Sequence, residues 1–459
     1  MLPAFPALIR RGNLLGAAGK LKEALSIMEK TFTFGLGDQQ VQVQVPAQQV
    51  LHVIEGKAAP AITDVNAAVQ EVLRNPIDSP PLKEVVKAGE KVAVIVSDVT
   101  RAWTKFDQFL PTLLNELNEA GVPDADIDIV VALGSHRPHT PEEDRSVCGE
   151  EVCRRVRIHQ HEASDSEKLT YMGTTSRGVK AYMNKLVAAA DKVILTGGIV
   201  YHLMAGFGGG RKSVMPGVSS WEAIQSNHCI ALNEVVGKGI SPDCVSGKLE
   251  GNPMHLDMEE HAELLKPAFL LNAVFTPEGK FARFVAGNWR SAWREGTKTV
   301  EEIFGIPIEA KADLVLASAG GYPKDINLYQ GSKTIDNAFM AVKPGGVIIC
   351  FLECRDITEP PEFSGWFKHK DIHEFELALR ERFTIPGYVA FKLANIAKQV
   401  SLIIVTHPNN VDFMNNAGGI IPATSAAEAM AIAKEKIGRD DFTVTVMEHG
   451  ANTVPVLKK

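Results

Sequence analysis

Residues 201–217 read YHLMAGFGGGRKSVMPG. Three glycines, Gly208, Gly209 and Gly210, stand before Arg211 and Lys212, and His202 lies ten positions ahead of the lysine. A glycine run ending in a lysine suits an anion, because backbone N–H groups can approach a phosphate closely where no Cβ intervenes. The stretch falls short of the triphosphate-binding loop G-x-x-x-x-G-K-[ST]. Arg211 occupies the position of that motif's last glycine, and its side chain would stand where the backbone must wrap. The plainer alternative is a flexible loop with two exposed cations.

Other residues could do acid–base or anion chemistry. His136 follows an apolar run in GSHRPHT, and His228 lies in SNH, sixteen residues after Lys212. Imidazoles titrate near neutrality and serve as general acids and bases or as metal ligands. Asp98 and Arg101, three apart in SDVTR, read either as a helix N-cap with an incidental arginine or as an arginine fork for a carboxylate or phosphate. Lys333 follows Gly320 and Gly321, which permit close backbone approach. His139 reads as a cap for the helix beginning near Pro141, and His159 and His161 as exposed strand residues.

These residues must be positioned by an alternation of strands and helices. Apolar runs predict strands at Lys91–Asp98, Ile127–Gly134, Lys192–Gly198, Ala268–Phe275, Asp313–Gly321, Gly346–Glu353 and Ser401–His407. Periodic segments predict helices at Phe106–Ala120, Trp221–His228, Trp289–Phe304, Gln330–Val342, Ile372–Phe383 and Thr424–Ile437. The fold class is α/β: two α/β domains with largely parallel sheets and an active-site cleft between them. The expected division is an N-terminal helical extension (1–32, with an amphipathic helix over Leu14–Phe32), an N-terminal α/β domain (33–304) and a C-terminal α/β domain (305–459), whose final segment is free to return to the first. In such sheets ligands bind beyond the carboxyl ends of the strands. SDVTR, GSHRPHT, HLMAGFGGGRK and SAGGYPKDINLYQGSK all fall there.

Composition narrows the class. The chain has 459 residues, a net charge of -7 and 45% hydrophobic residues. That balance favours a large core and argues against a nucleic-acid surface or a basic membrane-binding helix. Six cysteines without a C-x-x-C pair favour reduced thiols over a zinc or disulfide framework. No apolar run approaches the ~20 residues that span a bilayer. The expectation is a cytoplasmic protein.

The ordered motifs resemble one family. D-x-T-R, G-x-H-R-P, H-x-x-A-G-F-x-G-G-x-K-S-x-x-P-G, N-H, G-N-x-M-H, G-G-Y-P-x-D and Y-Q-x-x-K all occur, from about Ser97 to the C-terminus. Together they are similar to the nickel-dependent lactate racemases and their homologues. The resemblance implies a nickel pincer cofactor, pyridinium-3-thioamide-5-thiocarboxylic acid mononucleotide, covalently attached to Lys212. It implies His228 as the nickel ligand, His136 and His202 as an acid–base pair, and Arg101, Gln330 and Lys333 as partners of the substrate carboxylate. Asp98, Tyr329 and the three loop glycines would support the cofactor. Implied partners are a 2-hydroxy acid and the enzymes that make the cofactor; the oligomeric state is left open.

The chemistry of racemisation is compatible with those residue types. A hydrogen on carbon beside a carboxylate is poorly acidic, whereas its removal as hydride leaves a flat 2-keto acid once a base takes the hydroxyl proton. One base per enantiomer suits two histidines. Met204 stands where the family carries an aromatic, which points to a substrate-binding position with space for an acid larger than lactate. Val99 and Trp103 also depart from the lactate pattern, and Tyr388 is the candidate for an aromatic beside the cofactor ring. The alternatives are a phosphate- or nucleotide-binding enzyme and a non-catalytic homologue that binds a small acid.

Overall fold

The computed structural model describes residues 28–458. Most of the expected N-terminal extension, and the helix placed over Leu14–Phe32, therefore lie outside the described residues. The end of that expectation is corrected, because Glu29–Leu36 is a strand paired antiparallel with Gln39–Pro46. The alternation TFTF and VQVQV has a period of two, which puts Phe32, Phe34, Val43 and Val45 on one buried face. Gly37, at φ 59°, makes the tight turn between the strands.

The chain divides into two compact units, each assembled from separate segments. One comprises residues 56–306 and 368–395. The other takes residues up to 55, then 307–367 and 396 onward. This departs from the expected continuous 33–304 and 305–459 domains. Residues 33–55 go with the later unit because strand Val50–Val53 pairs with Val444–Met447. The segment that returns to the earlier unit is 368–395, not the final one. Glu376 anchors it by accepting the N–H groups of Gly237 and Gly239, both at 3.0 Å.

The earlier unit is built on a six-stranded sheet in the order Phe281–Gly287, Phe269–Phe275, Lys192–Gly198, Val92–Ser97, Ile127–Ala132, Arg157–Gln160. Only the first pair is antiparallel. Its strands are apolar on both faces because both faces are covered. Val94, Val96, Ile129 and Val131 join one core, whereas Ile95, Val130 and Leu195 join the other. From Val92–Ser97 the chain adds strands first on one side and then, with Lys192–Gly198, on the other. The crevice at such a reversal is where open α/β sheets bind ligands. Asp98 and His202 leave the two strands that flank it.

The later unit carries a second six-stranded sheet, parallel throughout, in the order Ile421–Ala423, Ser401–Val405, Val342–Phe351, Ala312–Ser318, Val444–Met447, Val50–Val53. Its reversal falls between Ala312–Ser318 and Val444–Met447. The N-terminal hairpin packs on this unit, with Phe34 stacked on Phe351 at 4.5 Å.

Val65–Arg74, Pro253–Leu265 and Ile385–Gln399 are the longer helices that were not foreseen. Pro253–Leu265 buries His255, Asp257, Glu259 and His261, a polar set that hides the usual apolar stripe. Ile385–Gln399 starts IPG, which reads as a loop, but Pro386 sits in its first turn, where a missing N–H costs no hydrogen bond. Among the described residues no helix is long and apolar enough to cross a membrane.

Candidate active site

Asp98 ends the Val92–Ser97 strand and N-caps a short 3-10 turn, Val99–Thr104. It is buried. Its Oδ1 accepts from the N–H and the hydroxyl of Thr100 at 3.1 and 2.5 Å, and its Oδ2 accepts from Nδ1 of His136. Burial by itself would raise the Asp98 carboxyl, but the His136 and Thr100 hydrogen bonds and the nearby Arg101 charge win and hold it below the usual carboxylate range. An ionised Asp98 makes Nδ1 of His136 the protonated nitrogen. Nε2 then carries the lone pair, and the half-exposed ring can act as a base. Arg101 is exposed, with Nη1 donating to the Thr100 hydroxyl at 2.7 Å. Asp98 is thus the N-cap, as one of the two readings had it, and also the partner of His136, which neither reading foresaw.

His202 is oriented differently. Its Nδ1 accepts the N–H groups of Met204 and Ala205 at 3.3 and 3.1 Å. Two donors on one nitrogen leave the neutral ring's proton on Nε2. Burial, followed by the positive charges of Lys212 and Arg101, pushes the His202 imidazole well below its ordinary range. His136 offers a lone pair, whereas His202 offers an N–H. Met204 contributes this backbone contact, while its side chain is fully buried.

The glycine-rich loop is neither flexible nor a pair of exposed cations. Arg211 is completely buried, with Nη2 and Nη1 donating to the carbonyls of Ala205 (2.7 Å) and Phe207 (2.9 Å), and Nε to His255 Nδ1 at 3.0 Å. Its guanidinium lies 3.9 Å from the centre of the Trp293 ring, whose indole N–H donates to the Gly208 carbonyl at 2.8 Å. Asn252 holds the Met204 carbonyl and Asn272 the Gly210 N–H, each at 2.8 Å. Gly209 and Gly210 have positive φ, and a Cβ there would come within 2.7 Å of Asn272 and 2.5 Å of Trp293. These two glycines already answer to packing within the chain. At Gly208 a Cβ would meet only ordinary contacts, the nearest at 3.5 Å. The loop runs into a single 3-10 turn, Gly210–Ser213, not a helix, so the dipole and N–H array of a triphosphate-binding loop are missing.

Lys212 stands in that turn, partly buried. Burial, then the charges of Arg211 and Arg101, brings its amine down to about 7. His228 is buried on helix Trp221–Cys229, where Nδ1 donates to the Ile224 carbonyl at 2.8 Å and leaves the lone pair on Nε2. Burial and the Lys212 charge push it down to about 3, so it is a neutral imidazole, the form that binds metals. Lys212 acts electrostatically on both His202 and His228, and His136 acts on His228. One site in the earlier unit thus gathers Asp98, Arg101, His136, His202, Lys212 and His228.

The remaining expected residues belong to the later unit. Tyr329, Gln330 and Lys333 lie on helix Leu328–Ala341, N-capped by Asn327, and Lys333 Nζ donates to Gln330 Oε1 at 3.0 Å. His449, unremarked in the sequence, leaves strand Val444–Met447 against Gly320, where a Cβ would lie 2.9 Å from its Nδ1. Expectations for three other histidines need correction or completion. His161 is buried, not exposed, and bonds to the Ser219 carbonyl at 2.9 Å through Nε2, because the chain turns inward after Arg157–Gln160. His159 stays half-exposed beside Asp128. The helix at Pro141 is capped by Thr140, not His139. Phe383 lies beside His228, with ring centres 6.0 Å apart, and Tyr388 lies behind Phe383. The burial of Arg211 and His255 was invisible in sequence, since they meet each other across 44 residues and Trp293 covers Arg211 from a further helix.

Residues 36–238 match the lactate racemase N-terminal domain family and residues 308–455 the lactate racemase C-terminal domain family. The chain is 32% identical to the lactate racemase of Thermoanaerobacterium thermosaccharolyticum over 91% of its own length and 97% of that protein's. It is 36% identical to the lactate racemase of Lactiplantibacillus plantarum over 63% of this chain and 66% of that one. The apoprotein structure of the Thermoanaerobacterium enzyme superposes with a TM-score of 0.82 at 30% identity, covering 94% of this chain and all of that one. A Thermotoga maritima protein shares the fold at a TM-score of 0.60 and 19% identity. The chain belongs to the lactate racemase family.

Proposed function

We propose that this chain racemises or epimerises a 2-hydroxy acid, lactate or a larger homologue, with a nickel pincer mononucleotide attached to Lys212. The observation that supports the reading is an amine brought down to about 7, a neutral metal-competent imidazole and an Asp98–His136 pair within electrostatic reach of one another in the earlier unit. The residues fit the group. A partly deprotonated lysine is a nucleophile suited to acyl attachment at neutral pH. Among the described residues no three His, Cys, Asp or Glu side chains gather to bind a metal ion, so His228 would supply one ligand and the cofactor the others. The cofactor-making enzymes would be the partners of loading.

When bound, the pincer would supply a hydride acceptor able to serve either face of a flat keto acid. The chain's own part is orientation and proton transfer. Arg101, Gln330 and Lys333 would hold the substrate carboxylate. His136 Nε2 would take the hydroxyl proton, with Asp98 stabilising the imidazolium. The neutral His202 ring would donate a hydrogen bond from Nε2–H to the substrate oxygen. It would give a proton to the oxygen of the opposite enantiomer only from its imidazolium form, since a neutral ring losing Nε2–H would become an imidazolate. For His202 to act as a base in its turn, its ring must give up the Met204 and Ala205 contacts, because an imidazolium carries a proton on both nitrogens.

The decisive test combines mass and isotope. In a host that makes the cofactor, the Lys212 peptide should gain a cofactor-sized mass together with nickel, and Lys212→Ala should gain neither. Substrate deuterated at C2 should keep its label through racemisation. Washout of deuterium into water would replace hydride transfer by proton abstraction at carbon. A bare chain from a competent host would end the cofactor reading.

A further inference from the structure

Behind Asp98 and His136 lies a third histidine that the proposed chemistry does not use. The His139 side chain is 1% exposed. Its Nε2 accepts the backbone N–H of Val99 at 2.8 Å, and its Nδ1 lies 3.0 Å from Asp144 Oδ1. A donor at one nitrogen and a carboxylate at the other settle the tautomer, with Nδ1 protonated and the lone pair on Nε2. Gln160 locks the arrangement. Its Oε1 accepts the His139 N–H at 2.8 Å, and its Nε2 donates to the His139 carbonyl at 3.2 Å and to Asp144 Oδ2 at 3.1 Å. Asp144 itself rides on helix Pro141–Cys148, whose start is fixed by the Thr140–Glu143 capping box.

Val99 is the residue between Asp98 and Thr100. The Thr100 N–H and hydroxyl hold the Asp98 carboxylate, and the same hydroxyl receives Arg101 Nη1. The peptide that His139 grips is therefore the one that joins Asp98 to the turn bearing Arg101. A carboxylate that must meet an imidazole nitrogen tolerates little displacement, and buried, fully partnered groups are what hold such a residue in place.

We infer that His139 is a positioning residue: through the Val99 N–H, and backed by Asp144 and Gln160, it aims Asp98 at His136. The inference rests on the reading of Asp98 and His136 as the acid–base pair.

The test uses the full-length chain without cofactor, labelled with ¹⁵N-histidine. Two-bond ¹H–¹⁵N correlation at about pH 9, where ordinary imidazoles are neutral, reports which ring nitrogen is protonated. In the parent chain His136 and His139 should both carry the proton on Nδ1. Val99→Pro removes the N–H that His139 grips and leaves every hydrogen-bonding side chain of the network in place. Proline suits the first position of a helical turn, and the Asp98 ψ of 177° suits a residue before proline. Val99→Pro and His139→Phe should each move His136 toward the Nε2–H form that free imidazole prefers, and the double variant should go no further than either single one. His139→Gln, whose amide can accept from Val99 and donate to Asp144, should restore the parent pattern. In loaded enzyme Val99→Pro should cost at least about tenfold in kcat, part of the roughly 10²- to 10⁴-fold that general acid–base help contributes. An unchanged His136 signal in folded Val99→Pro would overturn the inference, whether or not His139→Phe folds. A parent chain whose His136 lacks the Nδ1 proton would instead overturn the Asp98–His136 pairing.

Discussion

Nδ1 of His136 donates to Oδ2 of Asp98, so the base of this site is set by a carboxylate. At His202 the same ring atom receives two backbone N–H groups. The two histidines are therefore chemically unlike, and their substitutions should differ in kind. Replacing either by alanine should lower net racemisation by about 10²- to 10⁴-fold. With an equilibrium constant of unity, kcat/KM must fall equally from both enantiomers. Single-turnover quenching separates the roles. His202→Ala should still convert one enantiomer to keto acid and His136→Ala only the other. Loss of keto acid from both enantiomers in either variant would remove the division of labour.

Asp98→Asn is the sharper probe of the pair. An amide turned to donate to Nδ1 of His136 moves the ring proton to Nε2 and removes the lone pair. A fall of about 10²- to 10⁴-fold in kcat is expected with the cofactor mass on Lys212 retained. A variant within threefold of the parent would show that Asp98 does not set the tautomer.

Lys212 should leave a pH signature on stability. Its folded value of about 7 lies below the ordinary 10.5. Between those values the unfolded chain carries a proton that the folded chain does not, so this group makes stability rise with pH across that window. Its cost is complete below about 7 and gone above about 10.5. Lys212→Met should raise the Tm of the unloaded chain by a few degrees at pH 7 and by little near pH 10. An equal gain at both pH values would mean that the amine is not depressed.

The loop glycines should not behave alike. Gly209→Ala and Gly210→Ala combine positive φ with contacts of 2.7 and 2.5 Å, and each should cost about 2 kcal/mol or more in urea unfolding. Gly208→Ala should stay within about 0.5 kcal/mol. If Gly208→Ala also blocks cofactor loading, Gly208 is where the ligand approaches the backbone. Equal destabilisation at all three positions would contradict the geometry.

Specificity is tested with a panel of enantiopure 2-hydroxy acids. Met204 is buried and pliable where an aromatic would be rigid. Some acid larger than lactate should give the highest kcat/KM, and Met204→Phe should shift preference toward lactate. Lactate as the best substrate of the parent chain would remove Met204 from the specificity argument.

Much of the framework was legible because local signals agreed. Trp289–Phe304 was foreseen to the residue, with Asn288 as its N-cap and an apolar stripe running to Ile303. Lys192–Gly198 was equally clear, as a continuous apolar run between polar turns. Pro253–Leu265 was missed because histidines and carboxylates share its buried face with Met254, Met258, Ala262 and Leu265, and such residues look like surface until a partner such as Arg211 is seen beside them.

Residue types and their order along the chain determined the α/β class, the loops at the strand ends and the set of groups able to do chemistry. Such signals are local: a period of two or 3.6, a cap, a glycine beside a lysine. Tertiary structure decided the state in which those groups stand. Arg211 became an internal clamp, Lys212 an amine near neutrality, His136 a base and His202 an N–H donor. Protonation depends on burial, and the His136 tautomer on a partner 38 residues away; even where the partner is near, as Met204 and Ala205 are to His202 and Ile224 to His228, only the folded backbone brings the atoms together.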